Sequence, residues 1–90
     1  MNKFKGLSFS KRGEQLTLNF NNYDYWESLE DILKILSNIY NVIVIKELDG
    51  PDSRIFYIKI NEIDYTLQYD SYGSFLKSDS ILGDNFLKEI

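Results

Sequence analysis

The chain has 90 residues, of which 43% are hydrophobic and 16% aromatic, so it can bury one modest core and we predict a single globular domain over residues 1–90. It contains no Cys and no His, which excludes a disulfide scaffold, thiolate or imidazole metal ligands, and Ser–His or Cys–His nucleophilic catalysis. The formal net charge of −4 disfavours nucleic acid as a partner, because a phosphate backbone would be repelled.

The first 20 residues have the pattern of a β-hairpin. Apolar residues alternate loosely over residues 3–10, and Leu16, Leu18 and Phe20 alternate with polar residues. Residues 10–13 between the two segments predict a turn, since Gly at its end can adopt the positive φ that a tight hairpin requires.

An amphipathic helix is predicted over residues 25–40. Its apolar residues recur at spacings of three and four, which predicts one buried stripe: Trp26, Leu29, Leu33, Leu36 and Tyr40. Asp24 is the predicted N-cap, and Glu27 three positions later completes an acidic form of the capping box.

Residues 40–76 have the pattern of a β-meander. The continuous β-branched run at residues 42–45 predicts a strand that is buried on both faces and lies inside the sheet. Residues 54–60 predict a strand with Phe56, Ile58 and Ile60 on one face, and residues 63–69 alternate cleanly between apolar and polar. The two residues between these segments fit a tight antiparallel hairpin. A turn at residues 71–73 and a short strand at residues 74–77 follow.

A second helix is predicted near the C-terminus. Ser78, Asp79 or Ser80 is its predicted cap. Its predicted apolar side consists of Ile81, Leu82, Phe86 and Ile90. The predicted fold class is therefore α+β, with a single antiparallel β-sheet of five to six strands, in the order ββαβββ(β)α, packed against one or two helices.

The candidate chemical sites are weak. Glu47, Asp49 and Asp52 suggest a cation loop, but EF-hand spacing is absent, so we interpret residues 49–52 as a solvated turn and predict no metal and no cofactor.

Asp64 and Asp70 would lie about 20 Å apart on one extended strand, too far to share a substrate bond. The many Tyr and Phe lack the interleaved basic residues of a base-stacking sheet. We therefore predict that the protein is not an enzyme.

A protein-binding surface is the remaining candidate, since Tyr is favoured at interfaces and acidic groups attract a basic partner. Asp64, Asp70, Tyr72 and Asp79 lie on one strand, the following turn and the next helix cap, and we predict that they contact the partner. The alternative is that these four are unrelated surface residues.

Residues 47–76, about a third of the chain, carry an acidic Asp-Gly turn, a Ser-Arg strand start, a tight hairpin, then Thr-Leu and a Tyr-Gly turn. This segment resembles small bacterial immunity proteins of contact-dependent growth inhibition and polymorphic toxin systems. The resemblance implies a cytoplasmic, non-catalytic inhibitor that binds a cognate toxin domain, often a nuclease with a basic cleft, and occludes its active site.

Two further expectations accompany this interpretation. No apolar run reaches the roughly 18 residues that a membrane-spanning helix needs, and no signal peptide is recognisable, so we expect no membrane association and a cytoplasmic location. The alternative function, of another class, is a small structural or assembly protein that self-associates as a homodimer through a sheet edge.

Overall fold

The computed structural model describes residues 7–12, 15–78, 83 and 87. The elements are β1 (Leu7–Arg12), β2 (Gln15–Phe20), α1 (Ser28–Ile39), β3 (Val42–Asp49), β4 (Arg54–Ile60), β5 (Ile63–Asp70) and β6 (Gly73–Ser78). The six strands form one antiparallel sheet in the order β1-β2-β6-β5-β4-β3. This confirms the predicted α+β class and the single antiparallel sheet of five to six strands. The predicted order ββαβββ(β)α is not fully matched, because the described elements run ββαββββ with α1 as their single helix.

The core lies between α1 and one face of the sheet. Leu29, Ile32 and Leu36 of α1 are fully buried, at the spacing of three and four that places them on one side of a helix. The facing strands contribute alternate residues: Leu18, Phe20, Phe56, Ile58, Ile60, Tyr65, Leu67 and Leu76. Each such side chain contributes roughly 1.5–3 kcal/mol through its removal from water, which makes this layer the main source of stability.

The start of α1 corrects the predicted boundary. The helix begins at Ser28 rather than residue 25, and Glu27 occupies the N-cap position without a side-chain capping hydrogen bond, so the capping box at Asp24 was wrong. Trp26 precedes the helix and is 41% exposed, so it does not belong to the buried stripe. The physical reason is that the Trp26 carbonyl accepts a hydrogen bond from Arg54 at 2.9 Å instead of from a helical N–H.

The position of β3 is the largest correction. The β-branched run predicted a central, doubly buried strand, but β3 is an edge strand that pairs with β4 alone among the described residues. Ile43, Val44 and Ile45 are 50%, 42% and 57% exposed. A register shift between Val44 and Lys46 also leaves Ile45 in a β-bulge. The centre of the sheet is formed by β5 and β6, because the N-terminal hairpin adds beyond β6.

The predicted turns are mostly confirmed. Asn61 and Glu62 have φ values of 51° and 71°, which fits the two-residue hairpin turn with two positive φ angles. Gly73 has φ 103° and opens β6, so the predicted turn and last strand are present. The N-terminal hairpin is present too, but β1 continues through Arg12, and Gly13 lies outside the described residues.

Most of the predicted C-terminal helix, including Ile81, Leu82, Phe86 and Ile90, lies outside the described residues. Ser78 ends β6. Gly83 and Leu87 are helical. Leu87 is fully buried in the core, and the Gly83 carbonyl accepts a hydrogen bond of 3.3 Å from the Tyr65 hydroxyl. None of the helical segments that the structure describes has the length and apolar character needed to cross a membrane.

Candidate protein-binding site

Several chain segments converge at one end of the sheet, which we call the acidic end. It comprises the β2–α1 loop, the first turn of α1, the β3–β4 turn with the adjoining strand ends, and the β5–β6 turn. It carries half of the 14 acidic residues of the chain: Asp24, Glu27, Glu30, Asp31, Asp49, Asp52 and Asp70. Antiparallel pairing brings these segments together, since Arg54 lies opposite Tyr69 and Asp49 lies opposite Arg54.

Arg54 holds the acidic end together. Its guanidinium donates to both Glu30 carboxylate oxygens, from Nη1 at 2.6 Å and from Nη2 at 2.7 Å, and its Nε donates to Asp49 Oδ1 at 3.0 Å. Nη1 also donates to the Trp26 carbonyl at 2.9 Å, so four of the five guanidinium N–H groups are satisfied. The guanidinium carbon lies 5.3 Å from the Trp26 ring centroid and 5.0 Å from that of Phe56. These contacts join α1, β3 and β4.

The electrostatics of this cluster are dominated by the Arg54–Glu30 pair. The hydrogen bonds from Arg54 lower the pKa of Glu30 below its ordinary value, and the Glu30 carboxylate raises the pKa of Arg54. Both groups are therefore charged at neutral pH. Among the described residues of the acidic end, Arg54 is the one basic side chain, so seven carboxylates and one guanidinium leave a formal charge of −6.

Three exposed aromatic side chains lie among these carboxylates. Tyr25, Trp26 and Tyr72 are 38%, 41% and 85% exposed. The Tyr25 hydroxyl donates to Asp31 at 2.5 Å, which raises the pKa of Tyr25 to about 12. The Trp26 ring meets Tyr69 edge to face at 6.2 Å. Exposed aromatics held in place by such contacts are characteristic anchors of protein interfaces.

An open cleft of about 300 Å³ adjoins the acidic end. It is lined by Ser10, Asn19, Phe20, Asn21, Asp24, Tyr72, Gly73 and Ser74. The hydroxyl of Ser74 donates to the Tyr23 carbonyl at 2.5 Å and lies 2.6 Å from Ser28 Oγ. These contacts connect the cleft to the first residue of α1. Tyr72 is oriented by its backbone N–H, which donates to Asp70 Oδ1 at 2.8 Å.

The structure divides the four residues that the sequence predicted to bind a partner. Asp70 and Tyr72 lie together at the acidic end. Asp64 lies at the other end of β5. Its side chain is 77% exposed, and its Oδ1 lies 3.9 Å from Lys59 Nζ. Asp79 lies outside the described residues. The prediction therefore grouped Asp64 with Asp70 and Tyr72, although Asp64 lies at the opposite end of β5.

The sequence interpretation missed Arg54, Glu30 and Trp26. One signal was present: Arg54 precedes Phe56 by two residues, so strand alternation places it on the buried face of β4, where a cation needs carboxylate partners. Asp49 supplies one of them and is not simply a solvated turn residue. Within the described part of the chain, no group of three or more Asp and Glu residues is arranged to hold a metal ion.

Comparison with known proteins adds no assignment. The chain matches no family model, no curated protein and no solved structure. No matched relative therefore supplies a function for the acidic end.

Proposed function

We propose that the protein is a non-catalytic protein-binding module whose acidic end docks on a basic surface of a partner protein. The observation that supports this is the concentration of seven carboxylates and three exposed aromatic side chains at the acidic end. Among the described residues of that end, Arg54 carries the sole basic group. The carboxylates attract and orient a basic partner, and the aromatics supply contact area at low entropic cost.

Trp26 is the proposed anchor of the interface. Its backbone carbonyl is held by Arg54, and its ring lies against both the Arg54 guanidinium and Tyr69. Its side chain is thus ordered before binding while 41% of it remains accessible. A preorganised Trp loses little rotamer entropy on association, which is why such residues dominate interface energetics.

The specific role that we propose is that of a cytoplasmic immunity protein, as the resemblance of residues 47–76 suggests. Its partner would be the toxic domain of a cognate effector, and a nuclease suits the charge, because nuclease clefts present basic groups to phosphates. The carboxylates of the acidic end would occupy those basic groups and block access of the nucleic acid. Neutralisation would then occur by occlusion and would require no catalysis.

Co-expression with the product of the gene immediately upstream tests this proposal. We expect co-purification of the two proteins. The double charge reversal Glu27→Lys with Asp52→Lys should weaken the complex at least about tenfold, equivalent to about 1.4 kcal/mol. The double reversal Glu62→Lys with Asp64→Lys is the matched control, since it changes the net charge equally at the other end of the sheet.

Two results would contradict the proposal. One is an equal loss of affinity in both double variants, which would show that net charge rather than the acidic end governs binding. The other is an upstream product that has no toxic activity and does not bind the wild-type chain. If Trp26→Ala leaves the affinity unchanged, Trp26 is not the anchor of the interface, but binding through the acidic end is not contradicted.

A further inference from the structure

The edge strand β3 is an open pairing surface. It pairs with β4 along one side, and within the described residues no strand lies along its other side. Natural edge strands are usually short, charged or covered, because alternate backbone N–H and C=O groups otherwise remain available to another strand. Ile43, Val44 and Ile45 are instead apolar and 50%, 42% and 57% exposed.

The exposed apolar surface extends onto the end of α1. Ile39, the last residue of α1, is 38% exposed, and two residues separate it from β3. Asn41 fixes this connection, because its carbonyl accepts a hydrogen bond of 2.9 Å from the Asn61 N–H. The surface lies at the opposite end of α1 from Glu30 and is therefore distinct from the acidic end.

We propose that β3 pairs antiparallel with β3 of a second copy of this chain, about a two-fold axis at Ile43. Directly opposed residues in a sheet share a face, so Ile43 would face Ile43 of the second copy, and Val42 would face Val44. All three pairs in this register are β-branched. The two sheets would join into one continuous sheet of twelve strands through an isologous interface.

The charges of β3 exclude registers that are centred on its second half, and the bulge at Ile45 confines regular pairing to the first residues of the strand. An axis at Lys46 would oppose two lysines, and an axis at Glu47 would oppose two glutamates; an axis at Leu48 would oppose Glu47 and Asp49. Like charges directly opposite one another are destabilising, so the charged half of β3 cannot be the centre of self-pairing. The axis at Ile43 keeps those residues outside the paired segment, before the bulge at Ile45.

This arrangement also separates the two acidic ends. The antiparallel pairing directs the Asp49 ends of the two β3 strands away from each other, which minimises repulsion between the acidic ends. Both acidic ends stay accessible, so dimerisation and partner binding are independent and can be tested separately.

Single-cysteine cross-linking tests the pairing, since the chain has no native Cys. Ile43→Cys places two sulfurs across the axis, where opposed Cβ atoms are about 4.5–5.5 Å apart, and we expect a disulfide-linked dimer after mild oxidation. Leu48→Cys is the matched control, as Leu48 lies on the same strand and is 41% exposed but is outside the paired segment. Equal cross-linking of both variants would overturn the proposal.

Light scattering supplies the second test. We expect the wild-type chain at about 100 µM to have twice its chain mass of 10.6 kDa. Ile43→Lys should be monomeric, because it opposes two lysines at the axis, whereas Leu48→Lys should remain dimeric. The milder Ile43→Thr keeps a β-branched side chain and should weaken the dimer about tenfold even if Ile43→Lys folds poorly. A monomeric wild type, or a dimer that survives Ile43→Lys, would refute the interface.

Discussion

Arg54 and Glu30 are separated by 24 residues in the chain and are joined by two parallel hydrogen bonds of 2.6 and 2.7 Å. The Arg54 side chain is almost fully buried, whereas about half of the Glu30 side chain is exposed. A bidentate pair of this kind fixes both the distance and the relative rotation of the two groups. It therefore sets the orientation of α1 on the sheet as well as the shape of the acidic end.

We expect Arg54→Met to lower the free energy of unfolding by about 2–3 kcal/mol, because the Glu30 and Asp49 carboxylates then lack their shared donor and solvent only partly replaces it. Arg54→Lys should cost less, since it keeps the charge but loses the bidentate geometry. Urea denaturation at neutral pH measures both. Lys59→Met is the control: its exposed pair with Asp64 at 3.9 Å should contribute less than about 1 kcal/mol.

The stability of the protein should fall with acidification in a way that depends on Glu30. The pKa of Glu30 is lower in the folded protein than its ordinary value of 4.5. The contribution of Glu30 to the free energy of unfolding is therefore fully present above pH 4.5 and is lost as the pH falls through its pKa in the folded protein. Glu30→Gln should be less stable than wild type above pH 4.5, and the difference should shrink on acidification. Urea titrations at several pH values measure this, and a constant difference would contradict it.

Tyr25 should titrate about two pH units above an ordinary tyrosine, because its hydroxyl donates to Asp31 and its pKa is raised to about 12. The stabilisation of neutral Tyr25 is present below pH 10 and is lost as the pH rises through about 12. NMR can follow its ring resonance among the seven tyrosines. Asp31→Asn should bring the pKa towards 10, whereas Asp52→Asn should leave it unchanged.

Core and edge positions should respond differently to truncation. Ile58 is 1% exposed in β4, and Ile58→Ala should cost about 2–5 kcal/mol through the cavity that it leaves. Ile45 is 57% exposed in the bulge of β3, and Ile45→Ala should cost less than about 1 kcal/mol. Both values come from urea denaturation in dilute solution, where self-association does not contribute. Similar costs at the two positions would show that β3 is buried.

The parts of the fold that the sequence predicted correctly depend on local periodicity. In β4 and β5 alternate residues face the core, so the apolar pattern identifies both strands, and in β5 the polar alternation also identifies the buried face. The buried side of α1 is likewise marked by Leu29 and Leu36. Periodicity failed for β3, because a continuous apolar run indicates burial only when both faces of its strand are covered, and strand order is not encoded locally.

The candidate site was only half predictable for a related reason. Asp70 and Tyr72 are neighbours in sequence and stay neighbours in space. Asp64 lies on the same strand, but a strand extends by about 3.3 Å per residue, which carries it to the far end. The meeting of Trp26, Glu30 and Arg54 depends on how α1 crosses the sheet, and no single stretch of sequence contains that information.

The pairing of β2 with β6 determines when during synthesis the fold can be completed. Thr17 lies opposite Lys77, and Phe20 lies opposite Ser74, so strands that are far apart in the sequence are hydrogen-bonded neighbours. During synthesis β1 and β2 emerge well before β6, the strand on which they dock, because α1, β3, β4 and β5 lie between them in the sequence. The hairpin therefore cannot dock until β6 has been synthesised. Pairing between strands that are so far apart in the sequence slows folding, because a long loop must be closed. The six-stranded sheet is complete only after β6 has been synthesised, and until then β2 lacks one of its two pairing partners and depends on its own solubility.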